Sequence, residues 1–114
     1  MPKNYPEYFR FLQESQKKLV DELPGPMTGF AQLHKESIKD GALTTKIKEL
    51  IALGIGIAVR CDGCISYHVH DAIKSGASRE EIIETIGVAI LMGGGPSMVY
   101  GCEAMEALDQ FEEE

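Results

Sequence analysis

The chain has 114 residues, which fits one domain spanning 1–114. With 44% apolar and 25% charged residues it has an ordinary globular composition. A net charge of -7 and a pI near 4.9 exclude nucleic acid and anionic membrane surfaces as natural partners. The apolar residues recur at helical spacing, with no strand-like alternation, so the expected fold is all-α: a bundle of about six helices. The opening Met1-Pro-Lys-Asn-Tyr-Pro6 lacks the apolar stretch of a leader, and no long uncharged run is present. A cytoplasmic protein with no membrane span is expected.

The first helix is predicted over Pro6–Leu23, with Tyr8, Phe9, Leu12, Leu19, Val20 and Leu23 facing the core. Pro24-Gly-Pro26 should break it. A second helix over Met27–Lys39 should stop at Asp40-Gly41, and Thr44 or Thr45 should cap a third running to Arg60. The fourth begins at the cysteines and ends near Ser75-Gly76. Ser78 and Glu81 have the spacing of a capping box for a fifth helix over Arg79–Met92. Gly93-Gly-Gly95 breaks the chain, and Pro96 suits the first turn of a sixth helix ending near Phe111.

Helices three and five are apolar almost all round, carrying Ile47, Leu50, Ile51, Leu53, Ile55, Ile57 and Val59, and Ile82, Ile83, Ile86, Val88, Ile90 and Leu91. A surface helix needs only an apolar stripe, and so small a domain cannot easily wrap both. Self-association is expected to bury the remainder. Gly54, Gly56 and Gly87 interrupt these helices at a cost of about 1 kcal/mol each relative to alanine, a cost that close approach of another helix would justify.

The chemistry concentrates in Arg60-Cys-Asp-Gly-Cys-Ile-Ser-Tyr-His68. On a helix, Cys61, Cys64 and His68 share one face. Two thiols at this spacing can close a disulfide, and a neighbouring imidazole can take a thiol proton. Either thiol could be the nucleophile: the helix start favours Cys61, the imidazole Cys64. The competing reading is a metal site made of Cys61, Cys64 and His68 with His70, His34 or Cys102 as the fourth ligand, but only one Cys-x-x-Cys knuckle is present. Glu49 stands on an otherwise apolar helix, twelve residues before Cys61. Folding the fourth helix back antiparallel gives an axial order Glu49, His68, Cys64, suited to a proton relay with a water filling any gap. A first-turn glutamate answering the helix dipole is the equal alternative. His70 is expected to be a partly exposed polar residue, Cys102 a core residue, Tyr67 a packing residue, and Ser66 a local hydrogen-bonding one.

With these residues in place, the chain resembles the carboxymuconolactone decarboxylase-like superfamily on its alkylhydroperoxidase D-like branch. Lys48-Glu-Leu-Ile-Ala-Leu-Gly54, Cys61-Asp-Gly-Cys64, His68, Gly76-Ala-Ser-Arg-Glu-Glu-Ile83 and Gly93-Gly-Gly-Pro96 carry the likeness, in the expected order. The resemblance implies an all-helical fold assembled as a homotrimer or homohexamer. It implies Cys64 as the thiol attacked by peroxide, Cys61 as its resolving partner, and Glu49 and His68 as the relay. No metal or cofactor is implied, only a small hydroperoxide or disulfide substrate and an external dithiol donor. One departure is Gly63, where the peroxidases of the branch carry a second histidine. Lactone decarboxylation is not expected, because the decarboxylase branch generally lacks the cysteine pair. The competing functional readings are a non-catalytic redox sensor and a metal-binding oligomeric protein of the same fold.

Overall fold

The computed structural model describes residues 3–114; Met1 and Pro2, the start of the segment read as lacking a leader, lie outside the described residues. These residues form six helices: α1 (Tyr5–Glu22), α2 (Pro24–Ile38), α3 (Thr45–Ala58), α4 (Asp62–Lys74), α5 (Arg79–Gly93) and α6 (Gly95–Glu112). No strand occurs among the described residues, and no helix there is long and apolar enough to cross a membrane.

Local chemistry explains most boundaries. Asn4 caps α1 by accepting a hydrogen bond from the Glu7 amide at 3.0 Å. Of the two candidate caps of α3, Thr44 holds the Ile47 amide at 3.2 Å, while the Thr45 amide donates to Asp40 Oδ1 at 2.7 Å. Ser78 and Glu81 form the reciprocal capping box of α5. Gly94, at φ +71°, ends α5 and lets Pro96 enter the first turn of α6.

The two ends of α2 differ from the expectation. Pro24-Gly-Pro26 separates α1 from α2 but also opens α2, because proline is pre-set for a first turn that needs no amide donor. Gly41 is not in the left-handed region, so α2 does not end on a glycine stop.

One apolar cluster holds the bundle. Leu53 and Ile57 of α3, Ile65 and Val69 of α4, Ile82 of α5, and Leu108 of α6 are completely buried. Each such side chain contributes about 1.5–3 kcal/mol relative to exposure. Helix α3 packs against α4, α5 and α6, with Leu50, Leu53 and Ile57 turned inward. Its opposite face carries Ile51, Ile55 and Val59 in the open. Helix α5 likewise buries Ile82, Ile86 and Ala89 while exposing Val88, Leu91 and Met92.

Helix α1 departs from the expected core. Tyr5, Pro6 and Phe9 are buried, but Leu19, Val20 and Leu23 are nearly half exposed. Helix α1 lies on α4 and α6 and also meets α2, which itself has no buried residue.

Candidate active site

The site is built on the connection between α3 and α4. The Val59 amide closes α3 on the Ile55 carbonyl, and Arg60 then adopts φ +61°, a left-handed conformation that costs a non-glycine residue about 1–2 kcal/mol. This reversal brings the Cys61 amide back onto the Gly56 carbonyl at 3.0 Å. Cys61 is therefore the N-cap of α4, with extended backbone and a Sγ that accepts the Cys64 amide at 3.2 Å. Helix three accordingly stops two residues short of the expected Arg60. A sulfur held at a helix N-terminus is electrostatically favoured as thiolate.

Cys61 and Cys64 are joined as a disulfide, with Cα atoms 5.2 Å apart. Cys64 rests on Gly56: a Cβ at that position would stand 2.9 Å from Cys64 Cβ, so only glycine lets α4 approach this closely. Gly54 has a milder role, its Cβ position lying 3.5 Å from Thr85 Cγ2, and a Cβ at Gly87 would meet nothing within 4 Å among the described residues.

One turn beyond Cys64, His68 Nδ1 lies 2.7 Å from Glu49 Oε1 on α3. The two groups meet directly, without an intervening water. Glu49 is only 3% exposed, and among the described residues its bonded partner is this imidazole rather than a lysine or arginine. Bonding through Nδ1 leaves Nε2 as the free ring nitrogen, on the helix that carries Cys64.

Asp62, in the first turn of α4, is paired with Lys3. Burial pushes its carboxyl up, but the bond from the Lys3 ammonium opposes this, and the group is held below the usual aspartate value. Glu103 accepts the Tyr5 hydroxyl at 2.9 Å. Burial first, then this bond, raises the Tyr5 pKa far above that of an ordinary phenol. Opposite Gly63, α1 fills the space: a Cβ there would meet Leu12 Cδ1 at 3.4 Å and the Tyr8 hydroxyl at 3.9 Å.

Other residues singled out from the sequence take different places. Cys102 is exposed and free, not a core residue, because α6 turns Gly101, Ala104 and Leu108 inward. Ser66 is buried and donates to the Tyr5 carbonyl at 3.1 Å, so its bond is long-range rather than local. Tyr67 donates to Gln16 Oε1 at 2.8 Å and packs edge-on against Phe9. His70, partly exposed, stacks on Phe9 at 4.1 Å between centroids and contacts Asp71 Oδ1 through Nδ1 at 2.8 Å. Asp71 was not singled out by sequence. Its oxygen, one from Glu49 and a ring nitrogen of His34 lie within 4.8 Å of one another.

The sequence pattern of the Carboxymuconolactone decarboxylase family matches residues 24–107. The chain belongs to this family. A family member from Legionella pneumophila, solved in its apo form, is 43% identical and superposes with a TM-score of 0.91, covering 94% of this chain and 96% of its own. A second, from Thermotoga maritima, carries a suggested involvement in antioxidative response. It is 32% identical with a TM-score of 0.80, over 97% of this chain and 92% of its own. An uncharacterised protein of Cupriavidus necator is 35% identical over 86 residues, covering 75% of this chain and 76% of the relative.

Proposed function

We propose that this family member is a thiol–disulfide oxidoreductase that reduces small hydroperoxides, with Cys64 as the attacking thiol and Cys61 as the resolving one. The observation that carries the reading is the buried Glu49 carboxylate bonded to His68 Nδ1, one helical turn from a Cys61–Cys64 pair. A base near its operating pH contributes typically ~10²–10⁴-fold to proton transfer. The helix terminus that favours Cys61 is worth about 0.3–1 kcal/mol, under tenfold. The imidazole therefore decides which thiol attacks.

In the proposed cycle His68, oriented by Glu49, takes the Cys64 proton. The thiolate attacks the terminal oxygen of ROOH; the O–O bond breaks, Cys64 becomes a sulfenic acid, and the leaving RO⁻ takes the proton from His68 as ROH. The Cys61 thiol condenses with the sulfenic acid, releasing water and closing the Cys61–Cys64 disulfide. An external dithiol reduces that bond by two exchanges and leaves as its own disulfide. The sum is ROOH plus dithiol to ROH, water and donor disulfide, with no bound cofactor. The suggested antioxidative role of the Thermotoga maritima relative supports this direction.

A second reading, a disulfide reductase with no physiological peroxide substrate, is favoured by Gly63. The branch's second relay histidine is missing there, and α1 occupies the adjoining space. The two readings share every step after disulfide closure.

The deciding experiment compares peroxide consumption by wild type, Cys61→Ser and Cys64→Ser. Cys61→Ser should react once and stall as a sulfenic acid on Cys64, and Cys64→Ser should not react at comparable speed. Labelling of Cys61 by a sulfenic-acid reagent at wild-type rate in Cys64→Ser would reverse the assignment. Reduction of a disulfide substrate without peroxide turnover by wild type would select the second reading.

We also propose that the chain is a homo-oligomer, a trimer or hexamer, working in the cytoplasm. The exposed α3 and α5 faces support the assembly.

A further inference from the structure

We infer that His34, Glu49 and Asp71 form a binding site for a divalent transition-metal cation, separate from the two thiols. The three donors come from α2, α3 and α4 respectively. One ring nitrogen and two carboxylate oxygens lie within 4.8 Å of one another. Metal–ligand bonds of about 2.0–2.2 Å place tetrahedral ligands roughly 3.3–3.6 Å apart, so a small contraction closes the set. A mixed imidazole and carboxylate set suits zinc, manganese or cobalt better than calcium.

Two further observations point to a cation. First, each carboxylate is already held by an imidazole of α4: Glu49 Oε1 by His68 Nδ1 at 2.7 Å, and Asp71 Oδ1 by His70 Nδ1 at 2.8 Å. Carboxylate ligands in metal sites are oriented by hydrogen bonds of this kind. Second, Glu49 is 97% buried yet has no lysine or arginine partner among the described residues, and neither has Asp71. Two carboxylates brought this close repel unless a positive charge lies between them, and burial strengthens the repulsion.

The placement also has a mechanical consequence. Helix α2 has no buried residue and rests on the body mainly through α1 and α3. A cation on His34 ties it to α3 and α4. Because Glu49 also serves His68, an occupied site competes with the thiol relay for one carboxylate. That competition rests on the function proposed above; cation binding does not.

The test uses tag-free Cys102→Ser protein with the Cys61–Cys64 disulfide closed, so that no thiolate is available. Zn²⁺ is titrated calorimetrically, and amide exchange of α2 is followed with and without it. One equivalent per chain should bind, with slower exchange in α2. His34→Ala and Asp71→Asn, both at accessible positions, should each weaken binding at least tenfold and abolish the α2 protection, while circular dichroism verifies their helical content. No saturable binding at millimolar Zn²⁺ overturns the inference. So does unchanged affinity in both variants, or binding that appears only after the disulfide is reduced.

Discussion

Gly56 and Cys64 are in backbone-to-side-chain contact: the Cβ that Gly56 lacks would stand 2.9 Å from Cys64 Cβ. The redox pair is thereby seated on α3 by the absence of a methyl group. Gly56→Ala should destabilise the protein by about 1–3 kcal/mol, as overpacking does, and slow closure of the Cys61–Cys64 disulfide. Gly54→Ala, whose new methyl meets Thr85 at an ordinary 3.5 Å, should be neutral or gain up to about 1 kcal/mol from helix propensity. Urea denaturation of both variants checks the contrast; equal effects would mean that contact with Cys64 is not what selects glycine.

The Glu49–His68 bond makes a prediction about coupling. His68→Ala should lower the rate of Cys64 oxidation by ~10²–10⁴-fold. Glu49→Gln should cost less, since it misorients the base without removing it. Adding Glu49→Gln to His68→Ala should change nothing further, because residues acting as a unit are non-additive. Stopped-flow thiol oxidation on the four proteins gives the cycle, and additive losses would separate Glu49 from the relay.

Arg60 carries the strain of the turn, at φ +61°. Arg60→Gly should stabilise the fold by up to about 1 kcal/mol, the relief of left-handed strain being partly offset by glycine's chain entropy. Arg60→Val should destabilise it, because a β-branched side chain tolerates this region least. Thermal denaturation of the pair gives opposite signs if the turn is as described.

The outer faces of α3 and α5 expose Val59 at 64%, Val88 at 61%, Leu91 at 79% and Met92 at 77%. Light scattering at micromolar concentration should return a mass well above that of one chain. Leu91→Glu together with Val88→Lys should lower that mass while leaving the helical content intact. A wild-type monomer would remove the assembly.

Acid stability should depend on Asp62. Its folded pKa lies below the aspartate value, held there against burial by the bond from Lys3. The contribution is then fully present above the unfolded pKa of about 3.9 and is lost as pH falls through the lower folded value. Asp62→Asn should therefore be less stable than wild type at neutral pH, with the gap shrinking only below about pH 4. A gap that shrinks between neutrality and pH 5 would place the titration elsewhere.

The helices were legible in the sequence because capping, proline placement and apolar spacing act over a few residues. Thr44, Ser78 with Glu81, and Pro96 each act within one turn, and α3, α5 and α6 begin where these residues place them. The Cys61, Cys64 and His68 spacing on α4 is equally local. Which way each helix turns its faces is decided by its neighbours. Leu19, Val20 and Leu23 look like core residues by period, yet they stand nearly half exposed. Cys102 looks buried by type, but Gly101 beside it takes the inward position against Ile86. Ser66 reaches Tyr5 only because α1 lies across α4. The meeting of His34, Glu49 and Asp71 has no periodic signature, since it needs three helices crossing at one point. Such crossings arise from long-range packing of buried surface, which short-range sequence pattern does not encode.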